Sequence, residues 1–157
     1  TESPSPVVRA IRVDFERIHD YVLTGPILVA LSGGADSVAL VLGFLEAGIE
    51  VGVAHLDHGT RDGASAEDAQ WVEAFAASLN LPCFIKSIDV PALAQASDQS
   101  FEEVARGVRY DFLAETAQAH TYTAIATGHH ADDQAETVLM RVSVSHTNLT
   151  LPTNNPE

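Results

Sequence analysis

The sequence predicts an α/β domain of three layers, a parallel sheet with helices on both faces. Three observations carry that expectation. Strand-like and helix-like segments alternate along the chain. Ile27-Leu28-Val29-Ala30-Leu31 is an uninterrupted apolar run, as a strand buried on both faces requires. The stretches richest in reactive side chains all follow strands: residues 32–37 the first, 55–61 the second and 128–136 the fourth. They therefore converge on the carboxyl edge, where sheets of this kind bind ligands.

Each element has its own signal. In residues 7–21, Val7, Val8, Ile11, Phe15 and Ile18 fall near helical spacing, so residues 1–24 are expected to hold a helix that packs on the domain. Gly25-Pro26 ends it and the first strand follows. Residues 32–34 are a loop, residues 36–47 a helix stopped by Gly48, and residues 49–56 the second strand. Ser65 and Asp68 weakly resemble a capping box and open a helix with Trp71, Val72, Phe75, Ala76 and Leu79 on its apolar face. Residues 82–88 are the third strand. Ser100 with Glu103 is a full capping box, opening a helix to about Ala119 through Phe101, Val104, Val108, Phe112 and Leu113. Residues 122–127 read as the fourth strand and residues 132–142 as a last helix. Residues 25–142 then form the domain. Residues 143–157 are polar, lack Lys and Arg, and are expected to be a divergent, disordered tail.

Composition narrows the function. A chain of 157 residues, 46% apolar and 19% charged, fits one globular domain with a core. No apolar run approaches the roughly 18 residues that span a bilayer, and the first residues lack a signal-peptide layout. Membrane association is thus not expected, and a cytoplasmic address is the default. The single Cys83 can form no internal disulfide and no Cys-based metal site alone. Twenty-two acids against eight bases give a net charge of −14, which should repel a phosphate backbone. Any nucleic acid must then be held by a local patch or by a part outside this sequence.

Four clusters carry chemistry. In Ser32-Gly33-Gly34-Ala35-Asp36-Ser37, paired glycines let the backbone approach a ligand and offer N–H groups to an anion, and the next helix adds its positive end. The loop is neither a Walker A motif nor a GxGxxG fingerprint. A ligand-free turn is the plainer explanation of two glycines; the full string after a buried strand favours the anion site. In His55-Leu56-Asp57-His58-Gly59-Thr60-Arg61, strand alternation would send His55 and His58 to opposite faces if the strand ran through both, which argues against zinc. Arg61 is a phosphate contact or a solvated loop arginine. Glu103, Arg106 and Arg109 share one helical face, as a solvated ion-pair row would. Finally, in Gly128-His129-His130-Ala131-Asp132-Asp133-Gln134-Ala135-Glu136-Thr137, a helix starting near Asp132 would put Asp133 and Glu136 on one face, where they could cap the helix, bind magnesium or hold an ammonium group.

Ser-Gly-Gly-x-Asp-Ser resembles the PP-loop of ATP-pyrophosphatases, which cleave ATP between the α and β phosphates. The His-x-x-His-Gly-x-Arg, Glu-x-x-Ala-Arg-x-x-Arg-Tyr and Gly-His-His-Ala-Asp-Asp-Gln-Ala-Glu-Thr strings resemble, in the same order, those of the tRNA(Ile)-lysidine synthetases; the likeness runs from Ile27 to Arg141. It implies an adenine nucleotide alpha-hydrolase-like fold, here lacking the last strand, so that an open sheet edge could pair two copies into a homodimer. It implies ATP and Mg2+ as cofactors, with ATP held by Ser32, Gly33, Gly34, Ala35, Asp36, Ser37, His55, Arg61, Gly128 and His129. Asp36 would stand beside the magnesium, and Asp36, Arg61 and Arg109 would be the catalytic residues. Arg106 and Arg109 would touch ATP or tRNA, and Asp133 and Glu136 would hold free lysine. The implied reaction joins lysine to C2 of the wobble cytidine of an isoleucine tRNA with a CAU anticodon, releasing AMP and pyrophosphate. Two alternatives stay open: a nucleotide-binding fragment without tRNA activity, and a non-hydrolysing adenine-nucleotide-binding module.

Overall fold

The computed structural model describes residues 8–14, 24–32, 35–59, 64–131 and 134–142. Among them the elements run β1 (Val8–Asp14), β2 (Ile27–Ala30), α1 (Ala35–Glu46), β3 (Val51–Asp57), α2 (Ala64–Ser78), β4 (Cys83–Ser87), α3 (Val90–Gln95), α4 (Phe101–Ala119), β5 (Ala124–Ala131) and β6 (Gln134–Val142). The six strands form one sheet in the order β1-β6-β5-β2-β3-β4. The four central strands are parallel, with β2 paired to β3 and to β5, and β3 to β4.

The apolar run at β2 does what its composition dictates. Ile27, Leu28 and Val29 are fully buried, and they divide between two cores. Ile27, Val29 and Leu31 pack with Leu40, Val41 and Phe44 of α1 and Val72 and Ala76 of α2. Leu28 joins Phe112, Leu113 and Ala117 of α4 on the other face. Period-two alternation in a strand covered on both sides is the cause, and it yields the expected three layers. At α4, Ser100 Oγ accepts from Glu103 N at 3.2 Å, and Glu103 Oε1 accepts from Ser100 N at 3.0 Å, so the capping box forms as read.

Three expectations are corrected. Residues 8–14 are the strand β1, not part of an N-terminal helix; residues 15–23 lie outside the described residues. The segment after β5 is the strand β6, not a helix. Its apolar residues Val138, Leu139 and Met140 are consecutive rather than helically spaced, and with Thr137 all four are buried. A helix would bury one stripe, whereas a strand inside a sheet buries both faces. The third correction follows from the second. β5 is not an open edge, because β6 pairs with it antiparallel from Ala124↔Arg141 to Ala131↔Gln134, and β1 pairs with β6 in turn. The sheet is therefore mixed, and the edge on which a homodimer was expected is covered. The short helix α3, opened by Asp89 Oδ1 accepting from Ala92 N at 3.1 Å, was not anticipated. Residues 143–157 lie outside the described residues.

Candidate functional site

The chain steps from β2 to β3 to β4, then returns through α4 to place β5 on the other side of β2. The strand order thus reverses between β2 and β5, and a crevice opens beyond the carboxyl ends of the strands at such a point. A cleft of about 240 Å³ lies there. Its walls are Leu31 and Ser32 after β2, His55 and His58 at the end of β3, Thr127 and Gly128 of β5, Asp68 of α2, and Arg109, Phe112 and Leu113 of α4. Apolar walls with a few convergent polar groups suit a small organic ligand.

α1 begins at Ala35, five residues after the last residue of β2. Ser37 is buried in the first turn of that helix, and its Oγ lies 3.3 Å from Ser32 Oγ and accepts from Ser32 N at 3.3 Å. Two hydroxyls are thereby gathered at the positive end of a 12-residue helix, a setting that favours an anion. Ala35 and Asp36 also stand in that first turn. Gly33, Gly34 and Arg61 lie outside the described residues.

β3 ends at Asp57, so strand alternation does not extend to His58. Asp57 Oδ1 accepts from Gly59 N at 2.9 Å, and Gly59 takes φ 75°, a left-handed conformation that favours glycine. A Cβ there would also stand 3.0 Å from Ile88 O. This turn sends His58 to the cleft that His55 already lines, so the two rings share one site instead of opposite faces. Among the described residues no three His, Cys, Asp or Glu gather to hold a metal ion. Magnesium travelling with ATP needs no such cage, since it keeps waters and takes phosphate oxygens plus one or two carboxylates.

Burial lowers the pKa of His58 below 6.5; the positive Arg109 and then His55 act the same way, while Asp57 opposes them. The imidazole is therefore neutral at pH 7. As pH falls, the unfolded chain takes up this proton first, so His58's contribution to stability is full above 6.5 and is lost as pH drops through the folded midpoint. Removing the guanidinium in Arg109→Met should raise that midpoint without restoring 6.5, because burial, the larger cause, remains. Proton NMR titration of the His58 ring measures it; an unmoved midpoint would place Arg109 elsewhere.

α4 separates the two arginines that spacing put together. Arg109 lines the cleft, whereas Arg106 is exposed outside its walls; each guanidinium lies 5.5 Å from the centre of the Tyr110 ring. Glu103 is committed to the helix cap. In the sheet, Glu136 of β6 stands in register with His129 of β5 and with Asp14 of β1. Since β6 is a strand, the helical face expected to join Asp133 and Glu136 does not exist, and Asp133 lies outside the described residues. Sequence reasoning missed Asp68, Phe112 and Leu113 as cleft residues, because apolar and capping positions on helices read equally well as core and cap, and Thr127, because it reads as an ordinary buried strand residue. Cys83 lies off the cleft, and burial followed by the charge of Glu73 pushes its thiol up, away from thiolate chemistry.

Known proteins resemble this arrangement in both sequence and shape. The tRNA(Ile)-lysidine synthase of Thermus thermophilus is 46% identical over 127 residues, which are 81% of this chain and 25% of that protein. That of Geobacter sulfurreducens is 44% identical over 119 residues, 74% of this chain and 25% of that protein. The chain thus spans about a quarter of the length of these curated relatives. Among solved structures, the NH3-dependent NAD synthetase of Campylobacter jejuni, in complex with the nitrate ion, superposes with a TM-score of 0.52 at 20% identity, covering 72% of this chain and 56% of that one. With a buried strand, two serines meeting at the start of the next helix and a cleft at the reversal of strand order, and with the PP-loop domain model matching residues 10–153, the chain belongs to the PP-loop domain family.

Proposed function

We propose that the chain is the adenylating domain of a tRNA(Ile)-lysidine synthetase and works in the cytoplasm. The observation that carries this reading is the cleft at the β2/β5 reversal, where Ser32, His55, Arg109 and Gly128 meet. Identities of 44–46% to the two synthases over most of this chain support the substrate assignment. ATP would lie with its phosphates at Ser32, Gly33, Gly34, Ala35, Asp36 and Ser37, and with Gly128, His129 and Arg61 around it. The C2 carbonyl oxygen of the wobble cytidine attacks the α-phosphorus, and the bond to pyrophosphate breaks. That oxygen, a poor leaving group before, now leaves as AMP when the lysine amine attacks C2 and gives up its proton.

Arg109, which lines the cleft, would offset phosphate charge there, where screening by water is reduced. Magnesium, when bound beside Asp36, supplies further neutralisation of the phosphates. Arg106, exposed one turn of α4 away, is assigned to tRNA. Asp133 and Glu136 are assigned to lysine, whose ammonium group a pair of carboxylates attracts. The net charge of −14 means that tRNA must be gripped locally or by a region outside these 157 residues.

The test is direct. The chain is incubated with ATP, magnesium, labelled lysine and unmodified isoleucine tRNA bearing a CAU anticodon, and label retained on tRNA is counted. ATP-dependent label is the expected result. Folded protein that binds ATP but transfers no label would favour the nucleotide-binding fragment instead.

A further inference from the structure

His55 is 8% exposed and stands in the wall of the cleft. Its Nδ1 lies 2.8 Å from the carbonyl oxygen of Leu31, the residue before the serine-glycine loop. A carbonyl oxygen only accepts, so Nδ1 must carry the hydrogen and donate. In the neutral ring that leaves Nε2 as a bare lone pair. Nε2 is buried and has no hydrogen-bond partner among the described residues. A buried acceptor without a donor is costly, and whichever molecule supplies the donor regains that cost.

We infer that His55 is a specificity-determining residue, a fixed-tautomer acceptor that takes a hydrogen bond from a hydroxyl or amino donor of the bound nucleotide. The inference rests on the proposed nucleotide site and adds to it a direction, acceptor rather than donor. In that neutral tautomer Nε2 only accepts, so the partner it calls for is a donor and not a phosphate oxygen, which also only accepts. A nucleoside triphosphate has two suitable sources: the ribose hydroxyls, and the exocyclic amine of the base. Nε2 is out of contact with solvent, so the bond requires the ring or its neighbours to shift as the ligand enters. Sites built this way reject analogues lacking the donor, since the buried acceptor is then left unpaired.

The substitution His55→Asn isolates the effect. Its amide nitrogen falls near the place of Nδ1 and keeps the bond to Leu31, while the atom at Nε2 disappears. His55→Gln instead returns an amide oxygen close to Nε2. Calorimetric affinities of the chain for ATP, inosine triphosphate, 2′-deoxy-ATP and 3′-deoxy-ATP form the experiment. One analogue should bind the unsubstituted chain roughly ten-fold more weakly than ATP. Inosine triphosphate would identify the base amine and a deoxy analogue the ribose. The same preference should vanish in His55→Asn and return in part in His55→Gln. Equal ratios of ATP to every analogue in the unsubstituted chain and His55→Asn would overturn the inference alone. So would a nitrogen NMR spectrum placing the hydrogen on Nε2. Folded chain that binds no ATP would overturn the nucleotide site and this inference together.

Discussion

Asp36→Ala should abolish AMP formation, a loss of about a thousand-fold or more in turnover if Asp36 stands beside the magnesium and the phosphates. The residue lies in the first turn of α1, directly after the loop whose hydroxyls, Ser32 and Ser37, meet at 3.3 Å. Carboxylates in the first turn of a helix typically contribute only about 0.3–1 kcal/mol to stability. The fold therefore survives, and circular dichroism should show as much. Asp36→Asn separates charge from shape: it keeps the volume and loses the anion, and should be as inactive as the alanine variant. AMP and pyrophosphate released from labelled ATP in the presence of tRNA and lysine are the quantities to measure. Near-normal turnover in either variant would remove Asp36 from the site.

The parts of this molecule legible in the sequence are those where one local pattern admits one structure. The short run Ile27 to Leu31 is bounded by Gly25-Pro26 and Gly33-Gly34, which favours a buried strand over a helix, and Ser100 with Glu103 marks a helix start, so β2 and α4 stand as read. The edge of the sheet was not legible. Val138, Leu139 and Met140 are three consecutive apolar residues, a run that periodicity cannot assign, and the outcome is set by the long-range pairing of β6 with β5 and β1. The same holds for Val8–Asp14, whose partner is more than a hundred residues away. In the site, the serine-glycine string and the two histidines were visible as chemistry, but their joint geometry depended on the left-handed turn at Gly59, which no alternation rule contains. Asp89 followed by Pro91 was a legible helix start, overlooked because α3 is only six residues long.

A substitution at the opposite end of the sheet should act on stability. Gly52 stands in β3 beside Leu28 of β2, and the Tyr122 ring, coming from just before β5, lies directly over it. A Cβ at residue 52 would fall on the Tyr122 hydroxyl and crowd Cζ at 2.6 Å. Tyr122 is itself buried in the core on the α4 face, with Phe84 edge-on at 6.2 Å between ring centres, so it has little room to yield. Gly52→Ala should therefore cost ~1–3 kcal/mol through overpacking. In a chain of this size that lowers the melting temperature by ~2–12 °C. Tyr122→Phe removes the hydroxyl but leaves Cζ in place, so the double variant should recover part of the loss, and the two changes should prove non-additive. Because the cleft lies at the carboxyl ends of β2, β3 and β5, the affinity of the folded Gly52→Ala protein for ATP should stay within about two-fold of the unsubstituted chain's, well inside a 1.4 kcal/mol, ten-fold change. Additive melting shifts would mean that the ring does not rest on Gly52. A large loss of ATP affinity in the still-folded variant would mean instead that the strand spacing set by the glycine reaches the site.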